Sequence, residues 1–189
     1  MKNNAHLGEA KEKRLERFQG ADIEFIETLI NSIANYFNNE IRTTLDSLEN
    51  PQTSLMILGI HSVALTIAFG FFDNDKETGY KLFLENFVDG DTSDTKFSTI
   101  ASEIHNWRNV IAHRWLSPTG FHFGYNFEMK EGWKKEGDVV FINPKIYLQC
   151  YLKAFGPSGK IYRYTKILNT DKKLRDAKDR FLSQYVEKA

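Results

Sequence analysis

The chain has 189 residues, of which 41% are hydrophobic and 26% charged, the balance of a folded globular protein and not of a disordered one. Its length favours a single domain with a sizeable core. A formal net charge of zero excludes a global field that drives the chain onto nucleic acid or anionic lipid, and a lone Cys150 excludes an internal disulfide framework and a cysteine-rich zinc site.

In chain order, Met1 to Gly20 is polar and charged, without the apolar core of a signal peptide. It reads as a tail or short helix ahead of a domain spanning residues 21–189. Ile23, Ile26, Ile30, Ile33, Phe37, Ile41, Leu45 and Leu48 follow in steps of three and four and describe one face of a helix from about Asp22, closed by Asn50-Pro51. A second helix, from Thr53 or Ser54 to about Phe72, is apolar almost all round. Gly59, His61, Ser62, Thr66 and Gly70 interrupt it, and no membrane-interface anchors flank it. It reads as a buried central helix of a soluble, cytoplasmic protein with no membrane partner. His61 within it reads as a satisfied core histidine.

Lys76 to Val88 predicts a short helix with Tyr80, Phe83, Leu84, Phe87 and Val88 inward, followed by a loop over Asp89–Asp94 and a fourth helix from about Thr95 to Trp115. The period then changes. Phe121, Phe123, Tyr125 and Phe127 alternate with polar residues at strand spacing, and Val139–Ile142 reads as the partner strand, giving a β-hairpin inserted at about 119–142. Asn143-Pro144 opens a helix that runs to Gly156-Pro157, with Cys150 on it as a buried structural thiol. A last helix spans about Lys160 to Val186. The expected fold is mainly α, an up-and-down bundle of about five to six helices with one β-hairpin. The 15 Phe and 8 Tyr predict a core or interface built on rings.

Zero net charge conceals an asymmetry. Lys145 to Ala189 holds 11 Lys/Arg against 4 Asp/Glu, whereas Phe71 to Glu103 holds 8 acidic and 3 basic residues. These segments could attract each other, expose a basic face to a polyanion, or form two solvated faces.

The fourth helix carries the chemistry. Arg108, Asn109 and His113 supply a fixed cation, an amide and a group that titrates near neutral pH. These are the parts needed to cleave a phosphodiester without a metal. At 100° per residue, positions 108 and 113 lie about 140° apart around a straight helix. His105, Asn109 and His113 share a stripe, and His105 is a weaker candidate as a second acid or base. Two such helices facing each other would bring the Arg of one subunit to the His of the other. Structural roles compete with this reading. His113 near a helix end gains from the helix dipole, and Arg114 and Trp107 suit packing or surface positions equally well. A Gly-rich phosphate loop, a His-Glu-x-x-His helix and a Gly-x-Ser-x-Gly elbow are all missing from the sequence, so no cofactor or metal is expected.

Arg108-Asn109-Val110-Ile111-Ala112-His113, late in a helical bundle, resembles the Arg-x(4–6)-His motif of the HEPN superfamily, where the residue after the Arg is typically polar and often Asn. The motif covers six residues, the looser bundle similarity about Asp22 to Val186, and the inserted hairpin departs from the minimal family fold. The resemblance implies a metal-independent endoribonuclease acting as a homodimer on RNA, as a toxin beside an antitoxin-like protein or in defence. It implies His113 as general acid or base around 2′-OH attack, Arg108 as stabiliser of phosphoryl charge, and Asn109 as an orienting group for His113 or the phosphate. Trp107 and Trp115 are loose candidates for base stacking. Two alternatives stand beside it: a non-catalytic HEPN-like dimerising module that binds RNA, nucleotide or a protein, and a helical bundle with no ligand.

Overall fold

A computed structural model describes residues 22–47, 53–114, 123–168 and 171–186; within these, the side chains of 45, 47, 113, 114, 171, 185 and 186 lie outside the description. The protein is mainly helical with a small three-stranded sheet. Helix α1 (Asp22–Tyr36) passes through a π-helical turn at Phe37–Ile41 into α2 (Arg42–Ser47). Fifteen residues separate Ile26 from Ile41, and a straight α-helix would carry them about 60° apart. The wider turn takes up that drift, so Ile26, Ile30, Phe37 and Ile41 are all buried on one side.

Helix α3 (Thr53–Phe72) is the centre of the fold, with α4 (Glu77–Phe83), α5 (Ala101–Arg114) and α8 (Asp171–Val186) packed against it. It has the length and hydropathy of a membrane span, yet half of its most apolar window is buried within the protein, as befits a core helix. Gly70 lets α8 approach: a Cβ there would sit 2.1 Å from the ring of Phe181. Asn74 closes the following turn, its Oδ1 accepting from the N–H groups of Lys76 and Gly79 at 3.0 Å each. Helix α4 continues into a second π turn, Leu84–Val88, and the five residues predicted inward here are all buried.

The predicted fourth helix begins later than its periodicity suggests. Ser93–Thr95 and Phe97–Ile100 are 3₁₀ turns, and regular α-helix starts at Ala101. The Asp89 carboxylate accepts from the Ser98 N–H at 3.0 Å and from its hydroxyl at 2.5 Å, holding that tighter turn in place.

The β insertion is present with a different pairing from the one expected. Strand β3 (Val139–Ile142) forms its hairpin with β2 (Trp133–Glu136), antiparallel, while β1 (Phe123–Tyr125) lies parallel to β3 on its other side. Gly137-Asp138 makes a two-residue turn between Glu136 and Val139, with Gly137 at φ +59°, which a glycine in the first turn position adopts without strain. The predicted start of the first strand, residues 119–122, lies outside the described residues, as do the 1–20 tail and Trp115.

Helix α6 (Pro144–Phe155) opens as expected, with the Asn143 Oδ1 accepting from the N–H groups of Lys145 at 2.9 Å and Ile146 at 3.4 Å. The expected final helix is two helices, α7 (Lys160–Ile167) and α8. The sequence at their junction, Asn169-Thr170-Asp171, is built of residues that favour helix starts over helix interiors. Aromatic rings join the layers. Phe37 stacks on Phe155 at 5.0 Å, Phe83 meets Tyr151 at 5.6 Å, and Phe71 meets Phe181 at 5.5 Å. Cys150 is a free buried thiol whose pKa burial pushes up, so it is a packing residue.

Candidate functional site

Helix α5 exposes one side and buries the other because Ile104 and Trp107 follow Ile100 and Ala101 at helical spacing, all four buried. Trp107 is 6% exposed and packs its ring against Phe123 at 5.3 Å and Tyr125 at 5.4 Å. That contact ties β1 to α5 and takes Trp107 out of consideration as a platform for stacking a base.

The polar residues of α5 lie along the margin of this buried side. Arg108 is partly buried, and its Nη1 donates to the Asn109 Oδ1 at 3.0 Å. Its Nε is buried and has no hydrogen-bond acceptor among the described residues. Asn109 therefore fixes the guanidinium. The backbone of α5 is helical through Arg114, so position 113 lies on the last turn, while the His113 side chain is outside the description.

His105 does not stand free on a polar stripe. Its Nδ1 lies 3.1 Å from the Nε2 of His61 in α3, with ring centroids 5.0 Å apart. His61 is wholly buried, and its other face lies against the Tyr80 ring at a centroid distance of 4.2 Å. Its Nδ1 has no partner among the described residues. The expectation of a satisfied core histidine is thus half met. Sequence periodicity placed His61 in the core but gave no sign of which residue it would meet, since the pair is 44 positions apart.

The electrostatics of this cluster keep both imidazoles neutral. Burial, then His105 and Arg108, bring the His61 pKa down from 6.5 to about 3. Burial also lowers that of His105, with Arg108 adding to the fall and Glu77 opposing it. Arg108 is therefore close enough to act on both rings, and the site is a cation beside two neutral imidazoles.

Behind the imidazoles runs a chain of phenols. The Tyr80 hydroxyl is 2.5 Å from that of Tyr147, which is 3.0 Å from that of Tyr151. All three are fully buried, and desolvation raises their pKa values, so they stay protonated. Nothing in the sequence marked this chain except the abundance of Tyr.

The charge asymmetry resolves locally. Among the described residues, the ion pairs of the basic C-terminal segment run to Asp22 at the start of α1, from Lys178 at 3.1 Å and Arg175 at 3.9 Å. The acidic segment is reached by Lys160, whose Nζ donates to the Asp89 backbone carbonyl at 2.6 Å. Among the described residues no group of three or more His, Cys, Asp or Glu is placed to hold a metal ion. Comparison with family models, with curated proteins and with solved structures finds no match for this chain.

Proposed function

We propose that this chain is a HEPN-type, metal-independent endoribonuclease: a soluble cytoplasmic homodimer that cuts RNA to a 2′,3′-cyclic phosphate, as a toxin or in defence. The observation that carries the reading is the state of Arg108. Its Nη1 is fixed by Asn109, the next residue of the motif, while the guanidinium as a whole is only partly buried. A cation fixed in advance is what stabilisation of a charged phosphoryl transition state requires, because no reorganisation is then needed at the moment of reaction.

In this reading His113 removes the 2′-OH proton, the oxygen attacks the adjacent phosphorus, and the bond to the 5′-oxygen breaks as that oxygen takes the proton His113 now holds. Arg108 neutralises the charge that gathers on the non-bridging oxygens. Asn109 positions Arg108. Positions 108 and 113 are separated by about 140° on a regular helix, so a dimeric cleft pairs the Arg of one subunit with the His of the other.

The test is RNA cleavage in excess chelator with Arg108→Ala, His113→Ala and an equimolar mixture of the two. Each variant alone is expected to fold and to lose cutting by about a hundredfold or more. The mixture, after subunit exchange, should recover part of it, because some mixed dimers hold one intact composite site. Undiminished cutting by either variant refutes the assignment. Wild-type protein that leaves a broad RNA panel intact but binds RNA, nucleotide or a protein points to the non-catalytic module.

A further inference from the structure

The His61–His105 contact restricts where protons can sit. One hydrogen bond between two imidazoles needs one N–H and one bare nitrogen, so the 3.1 Å contact has two arrangements. If His105 donated from Nδ1, neutral His61 would carry its proton on Nδ1. That atom is buried and has no acceptor among the described residues. If His61 donates from Nε2, its Nδ1 is a bare nitrogen facing the core. An orphaned buried N–H is the rarer defect, so the second arrangement prevails.

We infer that His61 is a positioning residue which holds His105 as a neutral imidazole protonated at Nε2, so that His105 serves the site as a fixed N–H donor and not as a base. His105 is only partly buried, and none of the described residues takes its Nε2. That N–H stands one turn before Arg108 on the same helix. On the nuclease reading, on which this use rests, it donates to a phosphoryl oxygen of the RNA beside the Arg108 guanidinium, and acid–base work is left to His113.

The groups around the pair favour this state. His61 faces it from α3, Tyr80 and Glu77 from α4, and Arg108 from α5 itself. Glu77 favours a charged His105, while burial and Arg108 oppose it. Protonating His105 would place a hydrogen on Nδ1, where it meets the His61 N–H. His61 would then have to move its own proton to the orphaned Nδ1. The pair therefore resists protonation as a unit.

Nitrogen-15 spectra of the imidazoles in the full-length protein, recorded between about pH 5 and 8, test this directly. The expected result is a His105 that is neutral at pH 7, protonated at Nε2, and titrates below the range of an ordinary histidine. His61→Phe removes the donor and should free His105 to move its proton to Nδ1 and to titrate at higher pH than in the wild type, though burial and Arg108 still hold it below an ordinary histidine. His61→Gln retains an N–H donor and should preserve the wild-type state. In RNA cleavage, His61→Phe should lower kcat/KM by roughly tenfold and His61→Gln should restore most of it. A wild-type His105 protonated at Nδ1, or one that titrates freely, overturns the inference. Equal losses in the two variants would make His61 a packing residue only, which also overturns it. The wild-type spectra decide even if a variant fails to fold. If RNA is left intact while His105 has the expected tautomer, the nuclease reading fails and the His61–His105 arrangement stands.

Discussion

Acid should weaken this fold through His61. In the unfolded chain this imidazole titrates at 6.5, and in the folded protein burial holds it to about 3. The unfolded state therefore binds the proton more readily. Stability is complete above pH 6.5 and falls as pH drops through the window from 6.5 to about 3. Within that window the slope is about 1.4 kcal/mol per pH unit, which gives about 2 kcal/mol lost by pH 5. His61 has no exposed surface, so solvent screening does not discount the effect. Urea unfolding at a series of pH values measures it. With an m-value of about 2 kcal/mol/M, the midpoint should fall by about 1 M between pH 7 and 5. His61→Phe, which keeps a ring against Tyr80, should be flatter over the same interval. Parallel curves for wild type and variant would refute the reasoning, because they would mean that His61 takes up its proton in the folded state at no unusual cost.

Three further outcomes follow from the packing. Burial raises the pKa values of Tyr80, Tyr147 and Tyr151 in the folded state, so the stability they contribute is present below the unfolded pKa of 10 and lost as pH rises beyond it. Phenolate absorbance should show them ionising only together with unfolding, whereas smooth ionisation of every tyrosine in the folded protein would contradict the burial argument. Gly70→Ala brings a Cβ to within 2.1–2.5 Å of the Phe181 ring, which is itself packed on Phe71, and should cost about 1–3 kcal/mol by denaturant unfolding despite the better helix propensity of Ala. Asn143→Ala removes the cap of α6 and the donor to the Met129 carbonyl at 2.7 Å; the expected loss is about 1–3 kcal/mol, with faster amide exchange in the 126–132 loop.

Much of this architecture was legible because period and caps act locally. The α3 run is apolar on nearly every side and is central; Asn143-Pro144 starts a helix as its chemistry dictates; the inward positions of α4 follow from spacing alone. The structure departs from what the sequence predicts where a non-local contact decides the outcome. Trp133-Lys134-Lys135-Glu136 is too polar to announce a strand, so by spacing alone the aromatic run ending at Phe127 reads as the partner of Val139–Ile142. The Gly137-Asp138 dipeptide was the available signal for the true hairpin. In the candidate site, Arg108 and Asn109 were found from their adjacency in sequence. The His61–His105 contact joins residues 44 positions apart, and no pattern within one helix could express it. His105 was thus expected as a second acid or base, whereas its neighbours make it a poorer base than a free histidine.

The central claim is that Arg108 and His113 cleave RNA by 2′-OH attack without a metal. The most direct measurement is end-group analysis of RNA incubated with the purified protein in excess chelator at neutral pH. The account predicts fragments ending in a 2′,3′-cyclic phosphate and matching 5′-hydroxyl ends. Intact RNA, or fragments that appear only when a divalent ion is restored, would contradict it.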